Sequence, residues 1–220
     1  MRVDVRLNAL IDPERAGDRG LAELARLVAT GGATLVQLRD KHRATRAMVA
    51  DARAIKAVLA PLKIPLVIND RVDVALAAAA DGVHVGQEDM AVEDARHLLG
   101  RDAIIGLSIK TVAQAEAAPI ELLDYVGIGG VFATTSKDNP DPPIGVSGLQ
   151  RIAEVFRRRR RDLPLCAIAG IEIGNAGSAV AAGVDGVAVI SALSLAPNPT
   201  DAARKLRAVV DAALAARGRS

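Results

Sequence analysis

The sequence predicts an α/β protein, a closed (β/α)8 or TIM barrel, because eight short apolar runs alternate with alanine-rich stretches of helical character. Polar and charged residues bunch just after several of these runs, and a barrel gathers all such strand ends on one face. The length of 220 residues fits one barrel, so we expect residues 1–220 to form a single domain.

The predicted strands are rich in Val, Ile and Leu. They lie near 3–11, 34–39, 65–68, 82–85, 103–107, 124–128, 165–168 and 185–189. Runs such as 66–68 and 187–189 are apolar on both faces, which is typical of a parallel sheet covered by helices. No glycine-rich dinucleotide fingerprint follows the first strand, and this favours a closed barrel over an open sheet.

Helix signals fall between the predicted strands. Asp12 or Asp18 is expected to cap the first helix, residues 45–59 have a helical mix, and Ser147 is expected to cap the stretch that begins at Gly148. Glycines stand where helices should end, namely Gly31-Gly32, Gly100 and Gly183.

Composition excludes several functions. The chain has no Trp, one Tyr and two Phe, so it lacks aromatic platforms for stacking bases, and its net charge of +2 attracts no polyanion. We therefore expect no nucleic-acid partner. No apolar run is long enough to cross a bilayer, and Cys166 has no second cysteine to pair with. With no signal-like N-terminus either, a soluble protein of the reducing cytoplasm without a membrane partner is expected; the oligomeric state stays open, a homo-oligomer included.

The residues after the second predicted strand indicate an anion site. Side chains two apart in a strand share a face, so Gln37, Arg39 and Lys41 should point into the barrel mouth together. A guanidinium fork beside an ammonium suits phosphate oxygens. The alternative is that Arg39 and Lys41 only pair with Asp40 or Glu88 at the rim.

The next two strands end in carboxylates. Asn69-Asp70 follows the third strand and Asp89 follows the fourth. Adjacent strands lie only about 5 Å apart, so the two carboxylates could share one Mg²⁺, which also takes waters and substrate phosphates. Without a metal, two close carboxylates would repel and one would be forced to protonate. The alternative role for Asp70 is to cap the helix that begins at Arg71.

A second anion site is expected across the barrel mouth. Glycines at 127, 129 and 130 would let backbone N–H groups approach an anion, and Thr134 to Lys137 follow with hydroxyls and an ammonium. Gly170 follows the seventh strand and Ile190-Ser191 the eighth, where barrels commonly bind phosphate. Two phosphorylated substrates, or one bisphosphate, are implied.

Other reactive residues are given structural roles. His84 is expected to be a hydrogen-bonded pocket or core histidine, since no second His or Cys stands at metal spacing, and Cys166 to be buried and inert. Arg157 to Arg161 are expected to be the solvated end of a helix. Lys110 could form a Schiff base, but nothing nearby in the sequence marks it as desolvated.

These motifs together resemble one family. QLRDK, NDR, DGVHVGQEDM, GLS, DYVGIGGVFATTSKD, AIAGI and VAVISAL occur in the order and at roughly the spacing of thiamine phosphate synthases, from about residue 7 to 195. The resemblance implies a transferase that joins hydroxymethylpyrimidine diphosphate to thiazole phosphate and releases pyrophosphate. It assigns the pyrimidine diphosphate to Gln37, Leu38, Arg39, Asp40, Lys41, Asn69, Ser108 and Lys137. It assigns Mg²⁺ to Asp70 and Asp89, and thiazole phosphate to Thr134, Thr135, Ser136, Gly170, Ile190 and Ser191.

The resemblance also implies a mechanism. The bond to pyrophosphate loosens first, and Mg²⁺ with Arg39, Lys41, Ser108 and Lys137 would carry catalysis by stabilising the leaving group, without a general base. The sequence departs from the family pattern at Lys110, where a His is usual, and at Gly130 and Ala133, where prolines are usual. Two alternatives remain: a thiazole tautomerase-like paralogue, and a non-catalytic binder of thiazole phosphate or thiamine phosphate.

Overall fold

Eight parallel strands of four to six residues close into a barrel in which each strand pairs with its sequence neighbours and the last pairs with the first. The computed structural model describes residues 3–134 and 142–218. The strands are β1 (Leu7–Ile11), β2 (Leu35–Leu38), β3 (Leu66–Asn69), β4 (Gly82–Val85), β5 (Ile104–Ile109), β6 (Tyr125–Ile128), β7 (Leu165–Ile168) and β8 (Gly186–Val189). The predicted TIM barrel is confirmed.

Helices follow the strands and cover the barrel. They are α1 (Leu21–Thr30), α2 (Thr45–Leu59), α3 (Val72–Ala78), α4 (Val92–Leu99), α5 (Val112–Ala117), α6 (Gly145–Arg159), α7 (Ile173–Ala181), α8 (Ser191–Ser194) and α9 (Pro199–Ala216). Single 3-10 turns lie at Ala60–Leu62 and Ile120–Leu122. In the described part of the chain, no helix combines the length and the apolar character needed to cross a membrane.

The sequence located all eight strands to within a few residues. The largest difference is at β1, which begins at Leu7 rather than near residue 3, and β5 runs on to Ile109. The helix at 45–59 is confirmed. Gly31 and Gly100 are the C-caps of α1 and α4, and Gly183 directly follows the C-cap of α7.

The capping predictions for two helices are wrong. The N-cap of α1 is Gly20 and no side chain caps it, so neither Asp12 nor Asp18 has this role. The helix α6 begins at Gly145, two residues before Ser147, and its N-cap is Ile144. In both cases the backbone enters the helix at a position that offers no hydroxyl or carboxylate.

The core has two layers because the strands are apolar on both faces. Helix-facing side chains such as Val36 and Leu38 pack with the apolar faces of the helices. Inside the barrel, Leu10, Leu35 and Val67 pack with Tyr125 and other interior side chains. Cys166 belongs to this interior, and burial raises the pKa of its thiol to about 12. The thiol is therefore protonated and inert at neutral pH, as expected.

One hydrogen-bond pattern recurs four times at the face of the barrel opposite the carboxyl ends of the strands. The residue before each even-numbered strand accepts a hydrogen bond from the backbone near the start of the preceding odd-numbered strand. The four acceptors are Thr34 (from Leu7 N, 3.1 Å), Asp81 (from Leu66 N, 2.8 Å), Asp124 (from Ile105 N, 2.9 Å) and Asp185 (from Leu165 N, 3.0 Å). Three of them also pair with a helix cation, Lys56, Arg96 or Arg157. We call these four contacts the strand clamps.

The arginine run at the end of α6 lies at this face, and its prediction as a solvated helix end is only partly right. The helix ends at Arg159, and Arg158 and Arg161 are exposed, but the other three arginines are held by the protein. Arg157 donates to Asp185 at 2.5 Å and to the carbonyl of Leu163 at 2.7 Å. Arg159 donates to the carbonyls of Ala115 and Ala118, and Arg160 to those of Ile120 and Leu123. These guanidinium groups satisfy carbonyls at helix and turn ends; Arg158 remains largely exposed.

Candidate active site

A cavity of about 440 Å³ opens at the carboxyl ends of the strands. Eight of the predicted site residues line it: Gln37, Arg39, Asn69, Ser108, Thr134, Gly170, Ile190 and Ser191. They come from the ends of β2, β3, β5 and β8 and from the loops after β6 and β7. The structure thus brings both predicted anion sites to one mouth, as the fold requires.

Arg39 is held at this mouth by a buried ion pair. Its Nη1 donates to the Asp12 carboxylate at 2.5 Å, and the two side chains are only 11% and 2% exposed. Asp12 follows β1 as Arg39 follows β2, and the register of these strands brings the two together. From the sequence, Asp12 was predicted only as a helix cap, and its pairing with Arg39 was not predicted. Its position directly after a strand was the available signal.

Lys41 and two carboxylates form an adjoining cluster. The Lys41 ammonium pairs with Asp70 and Arg39 pairs with Asp12, so the alternative in which the two cations pair with Asp40 or Glu88 is not what the structure shows. Burial raises the pKa of the Asp89 carboxyl, and so do its hydrogen bond with Asp70 and the charge of Asp70. Asp89 also accepts from the backbone N–H of Gly86 at 2.7 Å. The two predicted metal ligands are therefore neighbours whose negative charges oppose each other.

Asp70 does not cap the following helix. The N-cap of α3 is Arg71, and no side chain caps it. Asp70 itself has a φ of +63°, a left-handed conformation that turns the chain sharply after β3. This turn directs its carboxylate toward Lys41 rather than along the helix.

Three predicted substrate ligands, Leu38, Asp40 and Lys41, do not line the cavity, and neither do the predicted metal ligands Asp70 and Asp89. The Leu38 side chain is buried among helix-facing residues. The Asp40 carboxylate is also buried, and its Oδ1 accepts from the backbone N–H groups of His42 and Arg43 at 3.1 and 3.0 Å. Asp40 therefore shapes the loop that carries Lys41.

The opposite side of the cavity is formed by the loops after β6 and β7. Gly170 has a φ of +65°, and a side chain there would meet the Ala133 carbonyl oxygen at 2.4 Å. The backbone N–H of Phe132 donates to Ala169 at 3.1 Å, so the two loops are joined. Ser191 opens α8 beside them. Thr135, Ser136 and Lys137 lie outside the described residues.

His84 is a hydrogen-bonded pocket histidine, as expected. Its Nδ1 lies 2.8 Å from the Tyr125 hydroxyl and its Nε2 lies 2.9 Å from the Ser108 hydroxyl. His84 and Ser108 line the cavity, whereas Tyr125 is fully buried inside the barrel. No role for Tyr125 was predicted from the sequence. Glycines within the neighbouring strands β5 and β6 were a signal of close approach at this place.

The fold and the cavity define a TIM-barrel enzyme with its site at the carboxyl ends of the strands. A family model described as thiamine monophosphate synthase matches residues 7–193. The chain belongs to this family, and it is a transferase of thiamine biosynthesis.

Individual relatives agree with the family. The thiamine-phosphate synthase of Agrobacterium fabrum is 50% identical over 216 residues, which cover 98% of each chain. That of Albidiferax ferrireducens is 46% identical and covers 95% of each chain. The solved structure of thiamine phosphate pyrophosphorylase from Pyrococcus furiosus superposes with a TM-score of 0.84 at 35% identity, covering 97% of this chain and 98% of that one. The likeness therefore extends over the whole barrel.

Proposed function

We propose that this chain joins hydroxymethylpyrimidine diphosphate to thiazole phosphate, forming thiamine phosphate and pyrophosphate, with Mg²⁺ at Asp70 and Asp89. The observation that carries the proposal is the cluster of Lys41, Asp70 and Asp89, which follows the same strand ends that bring Arg39 and Asn69 into the cavity lining. Arg39 lines the cavity, Lys41 pairs with Asp70, and Asp70 contacts Asp89. A diphosphate with its metal matches this mixture of charges.

The donor set fits Mg²⁺ bound together with a substrate. Asp70 and Asp89 are two neighbouring carboxylates with opposed charges, and a divalent cation would remove that opposition. Within residues 3–134 and 142–218, no three His, Cys, Asp or Glu side chains converge as a metal site. Mg²⁺ commonly keeps waters and takes one or two carboxylates plus phosphate oxygens, so two ligands suffice. When bound, it would neutralise charge on the diphosphate.

The residues on this side support departure of the leaving group. As the carbon–oxygen bond breaks, negative charge accumulates on pyrophosphate. Arg39, held in place by Asp12, would offer its remaining N–H groups to the pyrophosphate oxygens, and Lys41 would exchange its partner Asp70 for them. Ser108 would donate a hydrogen bond. By family resemblance Lys137 contributes a further ammonium. The thiazole nitrogen then captures the pyrimidine cation, and no general base is required.

The thiazole phosphate is assigned to the side formed by Gly170, Ile190, Ser191 and Thr134, all of which line the cavity. Backbone N–H groups and hydroxyls suit a phosphate, and the loops after the last strands of a barrel are its usual place. By resemblance Thr135 and Ser136 would add further hydroxyls. Both substrates would then face each other across one cavity.

The partners in this proposal are small phosphorylated molecules, and the proposed location of the protein is the cytoplasm. The decisive experiment mixes the purified protein with both substrates and Mg²⁺ and measures thiamine phosphate and pyrophosphate. Formation of both products in equal amounts is expected. Isomerisation of a thiazole carboxylate phosphate without use of the diphosphate would identify a tautomerase. Binding without any product would identify a silent binder.

A further inference from the structure

Three neighbouring strands place a histidine, a glycine and a tyrosine side by side. In the strand register His84 on β4 is paired with Gly106 on β5, and Gly106 is paired with Tyr125 on β6. A Cβ at Gly106 would lie 2.3 Å from the Tyr125 ring and 2.4 Å from His84 Nδ1. Only a glycine between them lets the two rings approach, with centroids 5.2 Å apart.

A second glycine clears the next level of the barrel. Gly127 on β6 is paired with Ser108 on β5, and a Cβ at Gly127 would lie 3.2 Å from the His84 ring. The imidazole can therefore extend beneath Ser108, and its Nε2 lies 2.9 Å from the serine hydroxyl. Gly106 and Gly127 thus leave space for the His84 side chain, which contacts both Tyr125 and Ser108.

The hydrogen bonds continue to the far side of the barrel. The Tyr125 hydroxyl bonds His84 Nδ1 at 2.8 Å. Gln37 also interacts with this hydroxyl and lowers the pKa of the phenol, as a donor to the phenol oxygen does. Gln37 and Ser108 both line the cavity, whereas Tyr125 is fully buried. We call Gln37, Tyr125, His84 and Ser108 the buried relay. It connects Gln37 and Ser108 through the fully buried Tyr125 and through His84, whose ring also lines the cavity.

The buried relay can be arranged in only two directions. A neutral imidazole donates from one nitrogen and accepts at the other, and each hydroxyl has one proton to donate. Burial raises the pKa of Tyr125 well above its usual value, so the phenol is neutral at neutral pH. If Tyr125 donates to His84, then His84 donates to Ser108, and the serine proton is available to the cavity. In the opposite direction Ser108 donates to His84 and can only accept from the cavity.

We propose that Tyr125 and His84 are positioning residues that hold the buried relay in the first direction. Gln37 then donates its amide N–H to Tyr125 and turns its carbonyl oxygen to the cavity. This oxygen accepts from the amino group of the pyrimidine, while Ser108 donates to the leaving diphosphate. The inference rests on the proposed function. It adds that Ser108 is the hydrogen-bond donor of the cavity wall and that the Gln37 carbonyl oxygen is its acceptor.

The chemistry of the reaction selects this direction. Diphosphate oxygens accept hydrogen bonds, so Ser108 must donate to them. When the carbon–oxygen bond breaks, its electron pair goes to the diphosphate, and the lone pair of the adjacent amino nitrogen delocalises into the ring. The amino group becomes a stronger donor to Gln37 as the diphosphate becomes a stronger acceptor from Ser108. Both ends of the buried relay therefore strengthen in the transition state, which is the requirement for catalysis.

The direction can be observed without turnover. The other two histidines, His42 and His97, are exposed, so a His42→Gln/His97→Gln variant leaves His84 as the only histidine. Nitrogen NMR of this variant, labelled at histidine and saturated with inorganic pyrophosphate and Mg²⁺, reports the imidazole tautomer. We expect a proton on Nε2 and none on Nδ1. A proton on Nδ1, or on both nitrogens, would overturn the proposal.

Kinetics supply a second test. Tyr125→Phe removes the hydroxyl that joins the two halves, and we expect kcat to fall about tenfold with little change in the KM for thiazole phosphate. Because Tyr125 acts through Ser108, adding Tyr125→Phe to Ser108→Ala should cost at most about twofold more than Ser108→Ala alone. If kcat of the double variant fell by the product of the two single-variant decreases, the two residues would act independently and the buried relay would be contradicted.

The control variant is Thr34→Val, which removes a hydroxyl that accepts from Leu7 N at the opposite face. It should keep its kcat even if its melting temperature falls. If Tyr125→Phe does not fold, the tautomer measurement still decides. The two proposals fail differently: no turnover by the unaltered protein contradicts the proposed function, whereas normal turnover with a proton on Nδ1 contradicts only the buried relay.

Discussion

Asp12 holds Arg39 in place from the neighbouring strand, with its carboxylate 2.5 Å from the guanidinium and almost completely buried. The pair joins the ends of β1 and β2, where the backbone N–H of Arg39 also donates to the Ile11 carbonyl at 2.9 Å. The guanidinium is therefore pre-positioned at the cavity before any anion binds, and this reduces the ordering required on binding.

The first prediction concerns this pair. Asp12→Asn should lower kcat about tenfold, because a charge-assisted hydrogen bond that orients Arg39 is weakened. The KM for the pyrimidine diphosphate should not rise, since the change also removes a negative charge near an anionic substrate. Steady-state kinetics check this, with Glu14→Gln as the control, because Glu14 is exposed and loses the same charge. Equal effects of the two variants would contradict the positioning role.

The second prediction concerns Asp89 and metal. The folded-state pKa of the Asp89 carboxyl is raised by burial and by Asp70. A raised pKa means that its contribution to stability is present at acid pH and lost as the pH rises through that pKa. In metal-free buffer at neutral pH, Asp89→Asn should therefore raise the melting temperature slightly, by at most about 3 °C.

Mg²⁺ should reverse the order of the two melting temperatures, so that the unaltered protein melts higher than Asp89→Asn. It should stabilise the unaltered protein, in which Asp70 and Asp89 would hold it, and have little effect on Asp89→Asn. Thermal melts with EDTA, with Mg²⁺, and with Mg²⁺ plus pyrophosphate measure the effect. Identical stabilisation of both proteins by Mg²⁺ would show that Asp89 is not a ligand.

The third prediction concerns the glycine between His84 and Tyr125. Gly106→Ala should destabilise the protein by about 1–3 kcal/mol, because its Cβ would overlap both rings. The control is Gly177→Ala in the interior of α7, where the nearest atom to a Cβ is Val209 Cγ1 at 3.7 Å. That change should stabilise by up to about 1 kcal/mol. Urea unfolding measures both, and a neutral result for Gly106→Ala would mean that the two rings can separate without cost.

The fourth prediction concerns the strand clamps. Asp124 accepts from Ile105 N at 2.9 Å and from Arg96 at 2.7 Å, at the face opposite the cavity. Asp124→Ala should cost about 2–3 kcal/mol of stability, because it leaves a backbone N–H and a guanidinium without this acceptor. Below the unfolding temperature kcat should be unchanged. Asp162→Ala is the control, since its carboxylate is 72% exposed and should be nearly neutral.

The barrel was predictable because its signals are local. Each strand is a short apolar run between polar residues, so β4 and β7 were located to the residue. The site residues were predictable for the same reason, since strand ends meet at one face. Gln37, Arg39 and Ser108 line the cavity as expected.

Several of the misses concern contacts between residues far apart in the sequence. Arg157 pairs with Asp185, 28 positions away, and Tyr125 with His84, 41 positions away. A run of arginines is compatible with a solvated helix end, and only the packed structure shows that carbonyls occupy its donors. Capping failed at α1 and α6 because the backbone can enter a helix at a glycine or an isoleucine without a side-chain acceptor.

The strand clamps also bear on how the chain could be cut and rejoined. Each clamp links an odd-numbered strand to the next even-numbered one, so the four pairs β1–β2, β3–β4, β5–β6 and β7–β8 each contain their own fastening. A circular permutant opened between pairs, for example after β2 or after β4, keeps every clamp within one continuous segment. One opened inside a pair must rebuild its clamp between the two ends of the new chain. The barrel thus consists of four strand pairs, and each pair holds its own clamp within one continuous stretch of chain. Permutants opened between pairs should therefore refold faster than those opened inside a pair.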